Sequence, residues 1–306
     1  MLTVVRRTRM FLPSTSLLRE FCRVLRQSQY EEENFMARVN ALVITGYGTN
    51  CEKESAYALQ QAGADNADIV YFSDLAAGHV RMDEYNYLLC PGGFLDGDDL
   101  GAAQAAALRW RWSIDANGKP VLDQLKGFFD KGGIILGICN GFQLLCKLGL
   151  LPAIGGRYFE RQVSLSYNDS GRFEDRWVRL KANPASPCVF TKGIDCLDVP
   201  IRHGEGKIIP MDDATFQALQ KENLIAVQYI HPETGDVTQE YPYNPNGSPL
   251  GIAGLTDPTG RILGLMPHPE AYNHKTNHPS WTRGTDPEMP LGLVMLEAGV
   301  RYLKDR

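Results

Sequence analysis

From Asn40 onward, short apolar runs alternate with stretches whose apolar residues recur at helical spacing. That rhythm predicts strands and helices in turn around a mostly parallel sheet. Residues 41–44 read as a first strand, and 51–62 as a helix with Ala56, Leu59 and Gln60 on one face. Residues 68–72 form a second strand and 87–90 a third, cut short by Pro91-Gly92-Gly93. A helix over 121–131 leads into the apolar run 133–138. Beyond Leu151 the rhythm changes. Residues 161–165 and 177–181 read as an antiparallel pair inserted in the fold. Residues 225–230, 251–255 and 262–265 read as further strands, and 291–303 as a closing helix. No Pro/Gly/Ser-rich linker divides the chain, so the expectation is α/β: a doubly wound, mostly parallel sheet with an inserted antiparallel hairpin, in one domain over 39–306.

Composition narrows the function. At 43 % hydrophobic and 22 % charged residues, the chain reads as globular. No stretch reaches the roughly 18 consecutive apolar residues of a membrane span. The net charge of −5 argues against nucleic acid as a partner. Residues 1–38 hold seven Arg against four Glu, which leaves the remainder at −8. This segment lacks the apolar core of a secretory signal. It reads as a disordered extension or a mis-assigned start, with an organelle transit peptide as the alternative, because Met36-Ala37-Arg38 stands directly before the first strand. The seven Cys (22, 51, 90, 139, 146, 188, 196) show no Cys-x-x-Cys spacing. That points to a reducing cytosol, with neither a disulfide framework nor a metal site.

The chemistry centres on Gly137-Ile138-Cys139-Asn140-Gly141, where an apolar strand gives way to a helix pattern. This is the form of a nucleophile elbow, with Gly137 and Gly141 expected to relieve crowding at its tip. The helix start behind the sulfur favours thiolate. A small buried Cys in a strand-to-helix corner is the bland alternative. A nucleophilic thiol needs a base, and the base needs an orienting acceptor. His268-Pro269-Glu270 follows a buried-looking strand and supplies both, with the proline stiffening the link. His231-Pro232-Glu233 repeats the tripeptide but runs into Thr234-Gly235-Asp236, a hairpin tip. Gly93, after a strand, and the N–H of Asn140 are candidate oxyanion donors. Gly46-x-Gly48 begins like a dinucleotide fingerprint, but Cys51 stands where its third glycine belongs.

The order Pro-Gly-Gly, Gly-x-Cys-x-Gly-x-Gln, His-Pro-Glu resembles class I glutamine amidotransferases. Residues 137–143, His203-Gly204-Glu205-Gly206, Asn244-Pro245-Asn246-Gly247-Ser248 and residues 264–270 are similar to the glutaminase subunits of phosphoribosylformylglycinamidine synthase. The resemblance implies a flavodoxin-like sheet and a cysteine thioester mechanism in which Cys139, His268 and Glu270 are catalytic. Gly93 and Asn140 would hold the oxyanion, and Gln143, Phe94 and Ser164 would bind glutamine. His203 and Glu205 would line the pocket or an interface. The implied partners are an ATP- and magnesium-using synthetase, which receives the ammonia for purine biosynthesis, and a small bridging subunit. The chain itself would hold no cofactor or metal. Departures from the family include Phe94-Leu95-Asp96, Ala271, an insertion over 109–119 and a tail over 273–290. A divergent paralogue serving another synthetase, a stand-alone cysteine hydrolase and a docking subunit without activity are the competing readings. Asn140, where the hydrolases carry His, disfavours the second.

Overall fold

The computed structural model describes residues 38–283 and 290–306. The expectation for residues 1–37 lies outside them. A nine-stranded sheet forms the frame. It is built from β1 (Asn40–Thr45), β2 (Asn66–Tyr71), β3 (Tyr87–Cys90), β4 (Ile134–Ile138), β6 (Glu174–Ala182), β7 (Cys196–His203), β9 (Ile225–Tyr229), β10 (Ile252–Thr256) and β11 (Ile262–Leu265). Strands β5 (Val163–Tyr167) and β8 (Glu205–Pro210) make a separate two-stranded sheet. The order in the large sheet is β2-β1-β3-β4-β11-β10-β9-β6-β7. From β2 to β11 every pairing is parallel, and from β11 to β7 every pairing is antiparallel.

The strands β1, β3, β4 and β11 are apolar because helices cover both of their faces. Their residues are buried almost without exception. At the edge, β2 carries Asn66 and Asp68 and buries only Val70 fully, and Phe72 begins a short helix instead of ending this strand. The helices are α1 (Glu52–Gln61), α2 (Phe72–Ala76), α3 (Gln104–Trp112), α4 (Val121–Asp130), α5 (Asn140–Leu148), α6 (Asp213–Lys221) and α7 (Val294–Lys304). Helix α3 and its following loop occupy the expected insertion. Trp110 is buried there against Phe72, with ring centroids 5.1 Å apart, while Trp112 stays exposed.

The inserted antiparallel element is present, but its pairing differs from expectation. Residues 161–165 and 177–181 fall in different sheets: β5 pairs β8, and β6 pairs β7 and β9. Strands adjacent in sequence need not pair: β6 extends the large sheet, while β5 joins β8 in the separate sheet and packs against α5. No helix among the described residues is long and apolar enough to cross a membrane.

Candidate active site

Strand β4 ends at Ile138, and the next residue, Cys139, takes φ 52°, ψ −106° before α5 begins at Asn140. A non-glycine side chain in that conformation is strained and persists only where the surroundings fix it. Gly141 is one reason they do: a Cβ there would overlap the Cys90 carbonyl of β3. At Gly137 a Cβ would stand 2.8 Å from the Gly141 carbonyl carbon and 2.6 Å from Leu145 Cδ1. Both glycines therefore admit the neighbouring strand and helix, and the expected crowding at the elbow tip is not their role. The Cys139 thiol is buried and donates to the Arg202 carbonyl, 3.6 Å away.

The loop after β11 brings His268 to the same point. A methyl group on Gly92 would meet His268 Cε1 at 2.6 Å, Cys51 Sγ at 3.2 Å and Cys139 Cβ at 3.5 Å, so three side chains converge there. His268 Nδ1 lies 2.7 Å from Glu270 Oε1, and both residues are buried. With the carboxylate accepting from Nδ1–H, the lone pair of Nε2 faces the thiols. Burial disfavours charge on this ring, but the charges of Glu270 and Cys139 outweigh it and hold His268 well above the usual imidazole range. Burial pushes the Cys51 thiol the other way for reactivity, up to about 11.

Two backbone N–H groups beside the elbow, those of Gly93 and Asn140, make no hydrogen bond in these turns. Residues 48–51, after β1, pair with the turn after β3: Cys51 N–H donates to Gly92 O at 3.3 Å and Phe94 N–H to Gly48 O at 2.8 Å. These bonds leave the Gly93 N–H out, and Gly93 sits at φ +139° with Asn50 N only 2.8 Å from a notional Cβ. Asn140 N–H is among the unpaired donors of a helix start. The Asn140 side chain ties the two together. Its Oδ1 accepts from Leu95 N–H at 3.0 Å, and its Nδ2 donates to Gln143 Oε1 at 3.0 Å. Gln143 Nε2 in turn donates to the Glu205 carbonyl at 2.6 Å. Gln143 lines the cavity, but its amide is largely committed to the protein.

A cavity of about 310 Å³ opens over these groups, walled by Cys51, Phe94, Asp98, Tyr167, His203 and Glu205 among others. The nucleophile Cys139, the base His268 and the oxyanion candidate Gly93 meet there, at the carboxyl ends of β1, β3, β4 and β11, where open α/β sheets bind ligands; Asn140 stands behind the wall and does not line it. His203 and Glu205 also line it. Ser164 is the exception among the expected residues. It pairs with Ile209 in the small sheet and is not part of the wall; Tyr167, three residues on, takes that place. Asn246, expected to mark the family, is a brace: its Nδ2 donates to Gly206 O at 2.9 Å and to Tyr229 Oη at 3.2 Å. Ser248 Oγ accepts from Ile208 N–H at 3.0 Å. Together they fix the turn that presents His203 and Glu205.

Sequence reasoning missed Cys51, Asp98 and Arg202. The signal for Cys51 was available in the segment set aside as a failed nucleotide fingerprint, which instead wraps the Gly92-Gly93 turn. Cys51, Glu54, His268 and Glu270 offer ligand atoms within 4.8 Å of one another, a mixed set of one soft thiol, one imidazole and two hard carboxylates. Both carboxylates have protein partners, however: Glu270 holds His268 and Glu54 holds Arg202 at 3.0 Å.

Residues 38–303 match the CobB/CobQ-like glutamine amidotransferase domain. The chain is 45 % identical over 240 residues to phosphoribosylformylglycinamidine synthase subunit PurQ of Methanococcus maripaludis, covering 78 % of this chain and 86 % of that protein. It is 38 % identical over 269 residues to the Dehalococcoides mccartyi subunit of the same name, covering 88 % and 99 %. The solved PurLQS structure from Thermotoga maritima superposes with a TM-score of 0.62 at 26 % identity, covering 87 % of this chain and all of that one.

Proposed function

This chain belongs to the CobB/CobQ-like glutamine amidotransferase family, among the glutaminase subunits of phosphoribosylformylglycinamidine synthase, and from that premise we propose that Cys139, His268 and Glu270 hydrolyse L-glutamine. The observation that carries this reading is the convergence of a strained buried thiol and a carboxylate-held imidazole on one cavity. Cys139 gives its proton to His268 Nε2, and the sulfur attacks the side-chain carboxamide carbon. The oxygen that gains the electron pair takes hydrogen bonds from the N–H groups of Gly93 and Asn140. His268 returns the proton to the departing nitrogen, the C–N bond breaks, and ammonia leaves a γ-glutamyl thioester. Water, deprotonated by His268, then adds to that carbonyl, and collapse releases glutamate and the thiol. Glu270 steadies the charged ring throughout and forms no bond to substrate.

Residues 39–306 act as one amidotransferase domain that delivers ammonia to a synthetase subunit. There, with ATP and magnesium, the formylglycinamide ribonucleotide amide becomes an amidine for purine biosynthesis. The chain's likeness to the PurLQS structure supports a synthetase partner and, beyond it, a small bridging subunit. No cofactor or metal in this chain takes part. Phe94 and Gln143 line the glutamine site, Phe94 as a half-exposed apolar flank and Gln143 as a brace. The setting is a reducing cytosol, which six free described cysteines support.

The test is glutamate release from glutamine by the purified chain with and without the synthetase and its nucleotide substrate. Release that rises at least tenfold on adding the partner and vanishes in Cys139→Ala supports the reading. Turnover that needs no partner favours a stand-alone hydrolase.

A further inference from the structure

The reaction engages His268 and Glu270 but gives Cys51 and Glu54 no task, and the four groups meet. Cys51 caps the start of α1 and Glu54 lies in its first turn, three residues apart and so on one face. Helix α1 packs against the turn Pro269–Ala271, which follows His268 and carries Glu270. One ligand atom from each of the four lies within 4.8 Å of the others. Ligands at about 2.0–2.3 Å from a tetrahedral ion stand roughly 3.3–3.8 Å apart, so side-chain shifts of about 1 Å close a shell here.

Each group keeps an atom in reserve. Glu270 Oε1 holds His268 Nδ1, while Glu270 Oε2 and His268 Nε2 are buried without hydrogen-bond partners among the described residues. Glu54 places Oε1 on Arg202 at 3.0 Å, and among the described residues its Oε2 accepts no bond. The Cys51 thiol donates to Asn50 Oδ1 at 3.2 Å, a weak partner for sulfur. With Cys51 as thiolate, it and the two carboxylates face the guanidinium of Arg202, an excess of negative charge that a divalent cation balances. Cys51 and His268 line the cavity, which gives an ion its way in. The donor set decides which ion. Magnesium and calcium take oxygen ligands, whereas zinc accepts thiolate, imidazole and carboxylate together.

We propose that Cys51 Sγ, His268 Nε2 and Glu54 Oε2 bind a zinc ion that switches the enzyme off. Cys51 releases its proton as the ion binds. Glu270 goes on accepting from Nδ1–H and so orients the ring for the metal as it does for the proton, and water takes the fourth position. The ion occupies the lone pair that must receive the Cys139 proton, so glutamine hydrolysis stops. The inhibition, though not the binding, rests on the glutaminase reading.

The experiment adds cobalt(II), a coloured stand-in for zinc, to the full-length Cys139→Ala chain. One equivalent should bind with a thiolate-to-cobalt charge-transfer band, and Cys51→Ser in the same background should lack that band. Zinc titrated by calorimetry should bind at least ~10-fold more weakly to Cys51→Ser and to Glu54→Gln than to wild type. In the complex with the synthetase, glutamate release should fall on adding zinc and return with a zinc-selective chelator. Each variant, measured against its own zinc-free rate, should need at least ~10-fold more zinc for the same fall. A band lost in Cys139→Ala, or zinc affinity unchanged in Cys51→Ser, puts the ion on other ligands and overturns the proposal. If Cys51→Ser fails to fold, the Cys139→Ala spectrum and the Glu54→Gln titration still decide. A chain that binds zinc in this pattern but releases no glutamate without zinc overturns the glutaminase reading and leaves the site standing.

Discussion

Asn140, the residue after the nucleophile, holds Leu95 by a hydrogen bond of 3.0 Å from the Leu95 N–H to its side-chain oxygen. Two segments far apart in sequence, the elbow and the Gly-Gly turn after β3, are thereby locked with both proposed oxyanion donors in register. Asn140→Ala leaves the Leu95 N–H and Gln143 Oε1 buried without partners, which costs about 1–3 kcal/mol of stability. A drop in kcat of at least ~10-fold with a smaller change in KM is expected, because the donors act in the transition state. Denaturant melts and steady-state kinetics check both parts. An unaltered kcat in a destabilised protein would show that the lock is structural only.

Cys51 and Cys139 share the cavity but not the chemistry. Burial pushes the Cys51 thiol up to about 11, and raises Cys146 behind the elbow as well. A glutamine-like electrophile at neutral pH should therefore modify Cys139 and spare the other two. Peptide mapping of the labelled protein decides it, and reaction at Cys51 would exchange the roles of the two thiols.

The couple of His268 and Glu270 makes a prediction in pH. The folded ring titrates well above its ordinary value of 6.5, burial opposing and the charges of Glu270 and Cys139 prevailing. Its stabilising contribution is complete below that ordinary value and is lost as pH rises through the folded one. Glu270→Gln should flatten the alkaline fall in melting temperature and lower kcat by about 10²–10⁴, less than Cys139→Ala does. An alkaline slope identical to wild type would remove Glu270 from the account.

His203 acts in the opposite sense. With its folded value pushed from 6.5 down to about 3 by burial and His268, the unfolded chain takes up a proton that the folded chain refuses. Stability present above pH 6.5 is lost as pH falls, by about 2 kcal/mol at pH 5. His203→Gln should lose correspondingly less between pH 7 and pH 5. Parallel curves for variant and wild type would contradict a neutral buried ring.

Asn246 is a structural counterpart. It is fully buried, donates to Gly206 O and Tyr229 Oη, and accepts from Ser248 N–H at 3.0 Å. Asn246→Ala should cost about 2–4 kcal/mol, and thermal melts would register it. A loss under 1 kcal/mol would mean that the brace is redundant.

The parallel half of the fold was legible because β1, β3, β4 and β11 are apolar on both faces, and β1 and β3 run into glycine-bearing turns, as at Gly92-Gly93. The elbow was legible because few other arrangements set a Cys between two glycines where a strand meets a helix. The pairing of β5 and β6 was not, since half-buried strands such as these alternate similarly whichever partner they take. Cys51 escaped notice because its role depends on the Gly46–Cys51 loop folding across to Gly92, a contact that local spacing does not encode. Asp98 and Arg202 are ordinary charged residues until the fold turns them into the cavity.

The most direct test of the central claim is mass spectrometry of the complex quenched while it turns over glutamine. A γ-glutamyl adduct on the peptide that contains Cys139 is the expected result. It should be absent in Cys139→Ala, with glutamate release reduced at least ~10³-fold. An adduct on another residue, or glutamate release retained in Cys139→Ala, would contradict the account.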